Sequence, residues 1–394
     1  MKLLFLGSLY PDNTFEKLLK EHIDVGFAAQ VFQKALLPGL DVLADVSVIS
    51  EITIPSFPKV KHLWINKETF SHSSLKKCDD ETVAYLNLPI VKHVSIFVSY
   101  IKAIRKKQDY DAVLIYELTS RHLLSSLIGS RGVKKVLIVP DLPEFMSASK
   151  NIIYLLLKKI DRWIINKAIQ HMDGFVLFSK HMAKSLNIGD KPYIVVEGIY
   201  NSRKDENVNK CEKKILLYTG KIEKWFGLYD LLSAFTRIDG NDYELWLCGN
   251  GDLSMISEFT SKDDRIKYLG MMPHDEVLNL QKQATLLVNP RHSYDEYTKY
   301  SFPSKTMEYM ASGTPTLMCK LESIPDEYNE HLFFFDDESV EGMANKIKTC
   351  LDLPSAELCS KGIEAALFIN NHKSSFIQGE RIINFINLLT NNVS

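Results

Sequence analysis

Short apolar runs alternate with longer amphipathic segments along almost the whole chain. Continuous apolar runs are typical of strands buried in a parallel sheet, and the segments between them are typical of helices. The alternation therefore predicts an α/β fold with mostly parallel sheets. The predicted strands are residues 2–6, 45–50, 111–117, 134–140, 175–178 and 193–196, and then 215–218, 244–248, 266–269, 284–288, 314–319 and 332–335.

A polar and charged segment, residues 201–214, interrupts this alternation and has the composition of an interdomain linker. A chain of 394 residues is also too long for one hydrophobic core. We therefore predict two α/β domains, residues 1–200 and residues 215–372, with a ligand-binding cleft between them. The last helical segment, about residues 373–394, is long enough to pack back onto the first domain and complete it.

Two segments of the first half have less certain patterns. Residues 21–40 favour a helix that ends at Pro38 and Gly39, because proline and glycine interrupt helices. Residues 55–88 show little periodicity and are predicted to be irregular.

Composition and charge limit the classes of function. The 47 Lys and Arg residues nearly balance 49 Asp and Glu residues, which argues against a nucleic-acid partner held by bulk charge. The six cysteines show no C-x-x-C or His/Cys spacing typical of zinc, so no metal is expected. No apolar stretch is long enough to span a bilayer, and the N-terminal apolar run is too short for a signal peptide. We expect a cytoplasmic protein.

Two predicted helices, residues 90–107 and 152–169, combine apolar positions with several Lys and Arg residues. Such a helix is more often an ordinary solvated surface. The alternative is peripheral contact with the anionic inner face of a membrane.

Residues 296–315 contain a short helix between two predicted strands. Pro303 suits the first helical position, and Gly313 suits the left-handed position that follows a helix. The start of such a helix lies at the carboxyl edge of the sheet, where α/β proteins bind anions. Glu308, one turn after Ser304, can accept hydrogen bonds from a ribose diol, so the arrangement fits a nucleotide. The alternative is an exposed glutamate without a ligand.

Glycine turns follow two strands of the second half. Gly220 is followed by Lys221 and Lys224 before the next helix begins, and such lysines can neutralise a diphosphate leaving group. Lysines at such turns are also common for solubility alone. Gly249 belongs to a Gly-x-Gly loop after the next strand, which is a weak signal by itself.

Two residues of the first half occupy comparable positions. Gly7 follows the first strand and allows a ligand to approach the backbone. Asp141 follows the strand at 134–140, at the carboxyl end where α/β enzymes place reactive groups. Its alternative role is to cap the turn before Pro143.

The second half resembles the retaining glycosyltransferases of the GT-B fold, in particular the family 4 enzymes that build bacterial capsule, exopolysaccharide and lipopolysaccharide. The resemblance rests on five motifs that occur in the order of that family. They are Y-T-G-K-I-E-K-W-F-G-L-Y-D-L-L-S-A-F, L-W-L-C-G-N-G-D, I-K-Y-L-G-M-M-P-H-D-E-V, A-T-L-L-V-N-P-R and F-P-S-K-T-M-E-Y-M-A-S-G-T-P.

This resemblance implies two tandem Rossmann-like domains, the first for the acceptor and the second for a nucleotide-sugar donor. It implies that Glu308 binds the donor ribose, and that Ser304 and Lys305 lie near the phosphate or the sugar. Gly7 would face the donor from the first domain. The residues expected around the rest of the donor, including its diphosphate, are Gly220, Lys221, Lys224, Gly249 and Tyr300.

Three positions depart from the family pattern. Tyr300 stands where the family has the first glutamate of its E-x7-E motif, and Glu296 lies four residues earlier. Phe226 replaces the second basic residue before the glycine, and we expect Lys224 to substitute for it. Asp141 stands where many members have a histidine, and it is our candidate for the residue nearest the anomeric carbon.

The predicted activity is transfer of a sugar, with retention, from a UDP- or GDP-sugar to a glycan or lipid-linked saccharide in surface polysaccharide biosynthesis. Two lysines and a helix N-terminus can stabilise a departing diphosphate without a metal. One alternative is a GT-B scaffold that binds a nucleotide-sugar or a partner without turnover. A nucleotide-sugar epimerase is a weaker alternative, because Tyr154 and Lys158 have the Tyr-x3-Lys spacing but the G-x-G-x-x-G turn is absent.

Overall fold

The computed structural model describes residues 1–107, 109–142, 152–201 and 210–391, with the side chains of residues 152–154 excepted. The chain forms two compact units. Unit 1 comprises Met1–Ile199 and Ser375–Ser394, and unit 2 comprises Tyr200–Ser374. Both units are built on mainly parallel sheets flanked by helices, which confirms the predicted fold class. Of the predicted linker, residues 202–209 lie outside the described part of the chain.

Unit 1 contains one large sheet and one small strand pair among its described residues. The large sheet has the order β10-β9-β8-β7-β1-β2-β5-β4, parallel except for the pairing of β4 with β5. Strands β3 and β6 form a separate antiparallel pair. The strands are β1 (Lys2–Gly7), β2 (Asp45–Ser50), β3 (Trp64–Ile65), β4 (Thr69–Phe70), β5 (Asp80–Thr82), β6 (Tyr85–Leu86), β7 (Ala112–Tyr116), β8 (Lys134–Val139), β9 (Gly174–Leu177) and β10 (Tyr193–Val195).

The helices of the first 199 residues cover the sheet of unit 1. They are α1 (Asp12–Lys20), α2 (Phe27–Asp41), α3 (Val91–Lys106), α4 (Ser120–Gly129), α5 (Ile152–Ile169) and α6 (His181–Ser185). Strand order reverses between β1 and β7, so the loops after these two strands diverge there.

Unit 2 contains a six-stranded parallel sheet among its described residues, in the order β13-β12-β11-β14-β15-β16. Its strands are β11 (Lys214–Thr219), β12 (Tyr243–Cys248), β13 (Ile266–Gly270), β14 (Leu286–Asn289), β15 (Thr316–Met318) and β16 (Phe333–Phe334). Each overlaps a strand predicted from the apolar runs. Its helices are α7 (Leu228–Phe235), α8 (Leu253–Thr260), α9 (His274–Gln283), α10 (Lys305–Ala311), α11 (Val340–Leu351) and α12 (Ser355–His372). Strand order reverses between β11 and β14.

The last helix, α13 (Ser375–Asn391), packs against α2 within unit 1. Two glycines permit the close approach, because a side-chain carbon on Gly39 would collide with the backbone of Ser375, and one on Gly379 with the backbone of Gly39. Ile382, Ile383 and neighbouring apolar residues of α13 join the core beneath the sheet.

Two predictions for unit 1 were wrong. The helix predicted to end at Pro38 continues to Asp41 with Pro38 inside it. Leu36, Leu37 and Leu40 are fully buried on either side of the proline, so tertiary packing outweighs the local interruption. The segment 55–88, predicted to be irregular, contains β3 to β6, whose two- and three-residue lengths leave too little periodicity to detect.

Candidate functional site

Backbone contacts at the carboxyl edge of the unit 2 sheet explain its glycines. Gly220 follows β11 and Gly249 follows β12, both with positive φ angles, of 150° and 143°. A side-chain carbon on Gly249 would collide with the carbonyl oxygen of Gly220, and one on Gly251 with that of Ile222. The backbone N–H of Gly220 also donates to the carbonyl of Cys248 at 2.8 Å. The two turns therefore form one closely packed backbone surface that only glycine allows.

Helix α10 is fixed to this edge by a buried tyrosine. The hydroxyl of Tyr309 accepts a hydrogen bond from the Thr219 N–H at 2.8 Å and donates to the Thr219 carbonyl at 3.0 Å. Ser304 is the N-cap residue, but its side chain makes no capping hydrogen bond. Pro303 precedes the helix, where its carbonyl accepts from the Thr306 N–H, and Gly313 has the predicted left-handed conformation with φ 75°.

Glu308 is half-buried and is held by a side chain that the sequence did not single out. Its Oε1 accepts a hydrogen bond from Nε2 of the fully buried Gln281 at 2.6 Å. Its Oε2 lies 3.7 Å from Nε2 of His274. The orientation of Glu308 is thus set from within the fold, and Oε2 remains on the more open side.

The three predicted lysines differ in their surroundings. Lys305 approaches Gly220, since a side-chain carbon built there would lie 3.0 Å from Lys305 Cε. Lys221 is exposed and ion-paired with Glu223. Lys224 places its ammonium 4.7 Å from the centre of the Tyr229 ring.

Lys305 is exposed as a residue, but its ammonium is partly desolvated beside the Gly220 turn. Desolvation lowers the pKa of Lys305, Glu308 opposes that effect and Arg291 adds to it. Within the described part of the chain, Lys305 makes no hydrogen bond or ion pair. A cation at a glycine-lined edge without a protein partner is suited to bind an anion.

Tyr300 ends the 3₁₀ helix Glu296–Lys299 and is half-buried, four residues before Ser304. Its backbone N–H donates to the Tyr297 carbonyl at 3.1 Å. Its role in sugar recognition stays a prediction.

The carboxyl edge of the unit 1 sheet has a different character. Gly7 at the end of β1 is closely covered, since a side-chain carbon there would collide with Gln33 and Phe5. Its carbonyl accepts a hydrogen bond from the hydroxyl of buried Tyr100 at 2.7 Å. Packing within unit 1 thus accounts for glycine at this position, and its predicted contact with the donor stays a prediction.

A buried ion pair lies beside Gly7. Glu51, which follows β2 and is fully buried, accepts hydrogen bonds from Nε of Arg121 at 2.8 and 2.9 Å. Burial alone would raise the pKa of Glu51, but Arg121 and His122 lower it below its ordinary value. His122 Nε2 also lies 3.1 Å from the Tyr100 hydroxyl. These groups neutralise one another inside the fold.

Two further carboxyl groups at this edge remain without such partners. Desolvation raises the pKa of Asp141, which follows β8 and is exposed as a residue, and also that of Glu117, which follows β7 and is half-buried. Glu117 has a left-handed backbone with φ 76°. Among the described residues neither side chain makes a hydrogen bond. The sequence indicated Asp141 but not Glu117, whose position directly after a strand was the available signal.

In the part of the chain that the structure describes, two groups of side chains bring possible metal ligands together, although the sequence spacing did not suggest them. They are Asp41, His72 and Cys78 in unit 1, and His292, Cys319 and Glu338 in unit 2. In both groups each imidazole nitrogen already lies within hydrogen-bonding distance of a carboxylate. These hydrogen bonds account for both arrangements.

The sequence of unit 2 matches a known family. Residues 201–367 match the family described as Glycosyl transferases group 1. No curated protein matches the chain at a significant level of sequence similarity.

Solved structures resemble the chain over its whole length. Sucrose-phosphate synthase from Thermosynechococcus elongatus is similar with a TM-score of 0.63 and 13% identity, over 99% of this chain and 99% of that chain. HepE from Anabaena, solved with UDP, is similar with a TM-score of 0.63 and 14% identity, over 98% and 100% of the two chains. Trehalose 6-phosphate synthase from Burkholderia multivorans is similar with a TM-score of 0.58 and 8% identity, over 99% and 97%.

The fold is therefore GT-B, with two Rossmann-like units. The match of residues 201–367 to this family indicates a glycosyltransferase. Among the described residues no helix is both long and apolar enough to cross a bilayer.

Proposed function

We propose that the protein is a retaining glycosyltransferase that uses a nucleoside diphosphate sugar, a UDP- or GDP-sugar, as its donor. The observation that carries the proposal is the edge of unit 2, where Lys305 lies beside the Gly220 turn and Glu308 is oriented by Gln281. The cation suits the diphosphate and the carboxylate suits the ribose hydroxyls. HepE, which shares the fold, binds UDP and UDP-glucose, and this supports the same class of donor here.

The remaining residues of unit 2 take supporting roles in this proposal. The exposed Lys221 and Lys224 add positive charge that neutralises the diphosphate, without a metal ion. Ser304, whose hydroxyl caps no backbone group, is available to the phosphate or sugar. Gly249 provides the close backbone surface, and Tyr300 contacts the sugar.

Unit 1 binds the acceptor in this proposal. Its edge presents Asp141, and burial raises the pKa of that carboxyl. A carboxyl with a raised pKa is suited to exchange a proton with a sugar hydroxyl. The acceptor is a glycan or lipid-linked saccharide in surface polysaccharide biosynthesis, which is the chemistry of the enzymes that the motifs resemble.

The donor proposal is tested by incubating the protein with a panel of UDP- and GDP-sugars and measuring the nucleoside diphosphate released. We expect release with at least one donor and a loss of release in Glu308→Ala. Glu276→Ala, an exposed glutamate on the neighbouring helix α9, is the matched control. No release with any donor, together with binding of UDP or GDP by the wild type, would favour a scaffold without turnover.

We also propose that one surface of unit 1 contacts an anionic membrane. Helices α3, α4 and α5 pack side by side, and both outer helices expose apolar side chains. On α5, Leu156, Ile160 and Trp163 are 58%, 55% and 63% exposed. On α3, Val94 is 60% exposed. Basic residues accompany them on both helices, as in interfacial helices that bind anionic lipid.

Vesicle sedimentation tests this membrane proposal. Ile160→Glu with Trp163→Glu should reduce binding to vesicles with anionic lipid by roughly tenfold or more, because each exposed apolar side chain contributes on the order of 1 kcal/mol. Leu253→Glu, which changes an exposed leucine of unit 2, is the matched control. Equal binding by wild type and the double variant would exclude this surface. The charge reversals Lys102→Glu, Arg105→Glu and Lys106→Glu test the basic contribution separately.

A further inference from the structure

We infer that Arg291 binds the diphosphate of the donor and supplies the positive charge that is missing at Phe226. The inference rests on the proposed use of a nucleoside diphosphate sugar. It assigns a ligand to a residue that the sequence motifs left without a role.

The position of Arg291 is the first argument. It lies two residues after β14, and β11 and β14 are the neighbouring strands between which the strand order of unit 2 reverses. In open α/β sheets the loops that diverge at such a reversal form the ligand crevice. Gly220 leaves β11 on the other side of the same reversal.

The backbone on both sides of Arg291 is fixed. A side-chain carbon on Gly227 would collide with the carbonyl of Pro290, so the turn that carries Phe226 packs directly against the residue before Arg291. On the other side, His292 is buried, with its Nε2 2.8 Å from Asp230 Oδ2 and its Nδ1 3.2 Å from Glu338 Oε2. Arg291 therefore projects from a rigid position, as a specific ligand contact requires.

Phe226 supports the guanidinium instead of contributing a charge. The Cζ atom of Arg291 lies 4.7 Å from the centre of the Phe226 ring, in cation–π contact. A guanidinium in cation–π contact can still donate hydrogen bonds through its N–H groups. Among the described residues Arg291 makes no hydrogen bond and no ion pair. These donors match the paired oxygens of a phosphate group.

Charge at the site also points to an anion. Arg291 and Lys305 are close enough that Arg291 contributes to lowering the pKa of Lys305. Neighbouring cations repel each other, and an anion that binds beside them relieves this repulsion. A diphosphate carries the charge needed to neutralise both.

A buried hydroxyl near Arg291 is a second, independent sign of a polar ligand. The hydroxyl of Tyr297 is buried and has no hydrogen-bond partner among the described residues. Burial raises the pKa of Tyr297, and the charge of Arg291 opposes that effect. The Tyr297 ring lies 6.1 Å from the Trp225 ring, which stacks on Phe226. An unsatisfied buried hydroxyl is costly, and a ligand oxygen or an ordered water satisfies it.

Binding of UDP and GDP to the full chain tests the inference, with uridine and guanosine as the matched nucleosides. We use isothermal titration for the diphosphates and ligand-observed NMR for the nucleosides. Wild type should bind UDP or GDP, and Arg291→Gln should weaken that affinity by about 10- to 100-fold. This is the effect expected from the loss of a charge-assisted hydrogen bond. Arg291→Lys keeps the charge but loses the planar pair of N–H donors, so it should weaken diphosphate binding by a smaller factor than Arg291→Gln. Both variants should bind the nucleoside like wild type. Arg237→Gln, an exposed arginine paired with Glu341, should leave both affinities unchanged.

The possible outcomes separate the two proposals. Arg291→Gln binding the diphosphate within about twofold of wild type would overturn the role of Arg291 while leaving the donor proposal intact. An equal loss for diphosphate and nucleoside would also overturn it, because a purely structural defect affects both. If wild type binds neither UDP nor GDP, the donor proposal fails, and the inference fails with it.

Discussion

The carboxyl edges of the two sheets both contain a reversal of strand order but have opposite chemistry. In unit 2 the edge carries closely packed glycines with Lys305 and Arg291, which lack carboxylate partners among the described residues. In unit 1 the edge carries Glu51, neutralised by Arg121, and the carboxyl groups of Glu117 and Asp141. The comparison shows that the fold alone does not determine what an edge binds. Unit 2 is suited to an anion, and unit 1 to a ligand that donates hydrogen bonds, such as a sugar hydroxyl.

Asp141→Asn should have the largest effect, because it removes a group that we place at the reacting atoms. We expect the turnover number to fall by roughly 10²- to 10⁴-fold, as for loss of a general acid or base. Binding of the nucleoside diphosphate, assigned to unit 2, should not change. Sugar transfer is measured in steady state, and nucleotide binding by titration. Asp190→Asn, an exposed aspartate of unit 1, is the control.

Glu117→Gln decides between the two carboxyl groups of unit 1. Both follow neighbouring strands, and burial raises the pKa of both. A larger loss of turnover in Glu117→Gln than in Asp141→Asn would move the reacting role to Glu117. A loss of nucleotide binding in either variant would contradict the division of roles between the units.

Glu308→Gln should have the next largest effect, and it acts on binding. Because the variant lacks a charged acceptor for the ribose, its affinity for the nucleoside diphosphate should fall by about 10- to 100-fold. Its affinity for the nucleoside alone should fall by a similar factor, because the nucleoside contains the same ribose. This result would differ from that of Arg291→Gln, which should spare the nucleoside, and titration with both ligands measures it. Unchanged nucleoside affinity would show that Glu308 does not bind the ribose.

How far the sequence predicted the fold depends on the length of each element. The strands of unit 2 lie within apolar runs of three or more residues or end at a glycine, and they were predicted. Strands β3 to β6 were missed because their two or three residues are defined by pairing with distant strands. The continuation of α2 beyond Pro38 was also missed. It depends on the packing of Leu36 and Leu40 in the folded core, which the local sequence does not show.

The sequence singled out those residues of the candidate site that belong to recognisable motifs. Gly220, Lys305 and Glu308 stand in motifs whose spacing suggests their roles, and the structure brings Lys305 to Gly220. Gln281 and Arg291 were not identified, since each contacts its partner through the fold and not through sequence spacing.

The smallest effect concerns stability and tests whether the charges of unit 1 are balanced within the fold. The Nδ1 atom of His72 lies 2.7 Å from Asp80 Oδ2, and its Nε2 atom lies 3.0 Å from Asp41 Oδ2. The His72 side chain is almost fully buried. Burial by itself would lower the pKa of this histidine, but the two carboxylates raise it to about 9. The raised pKa means that the protonated form stabilises the folded state. That contribution is complete below the ordinary histidine pKa of about 6.5 and is lost as the pH rises through about 9.

Allowing for solvent screening, this loss should amount to roughly 1 to 3 kcal/mol of unit 1 stability. Hydrogen exchange of the β4 and β5 amides measures it locally, which matters because a protein of two units need not unfold in one step. Exchange, corrected for the intrinsic effect of pH, should accelerate in wild type between about pH 6.5 and 9. His72→Gln should lack this component, and His171→Gln, an exposed histidine, should behave like wild type. A wild-type protein whose β5 protection is independent of pH in this range would show that His72 is not stabilised as a cation, and that unit 1 does not balance its own charges.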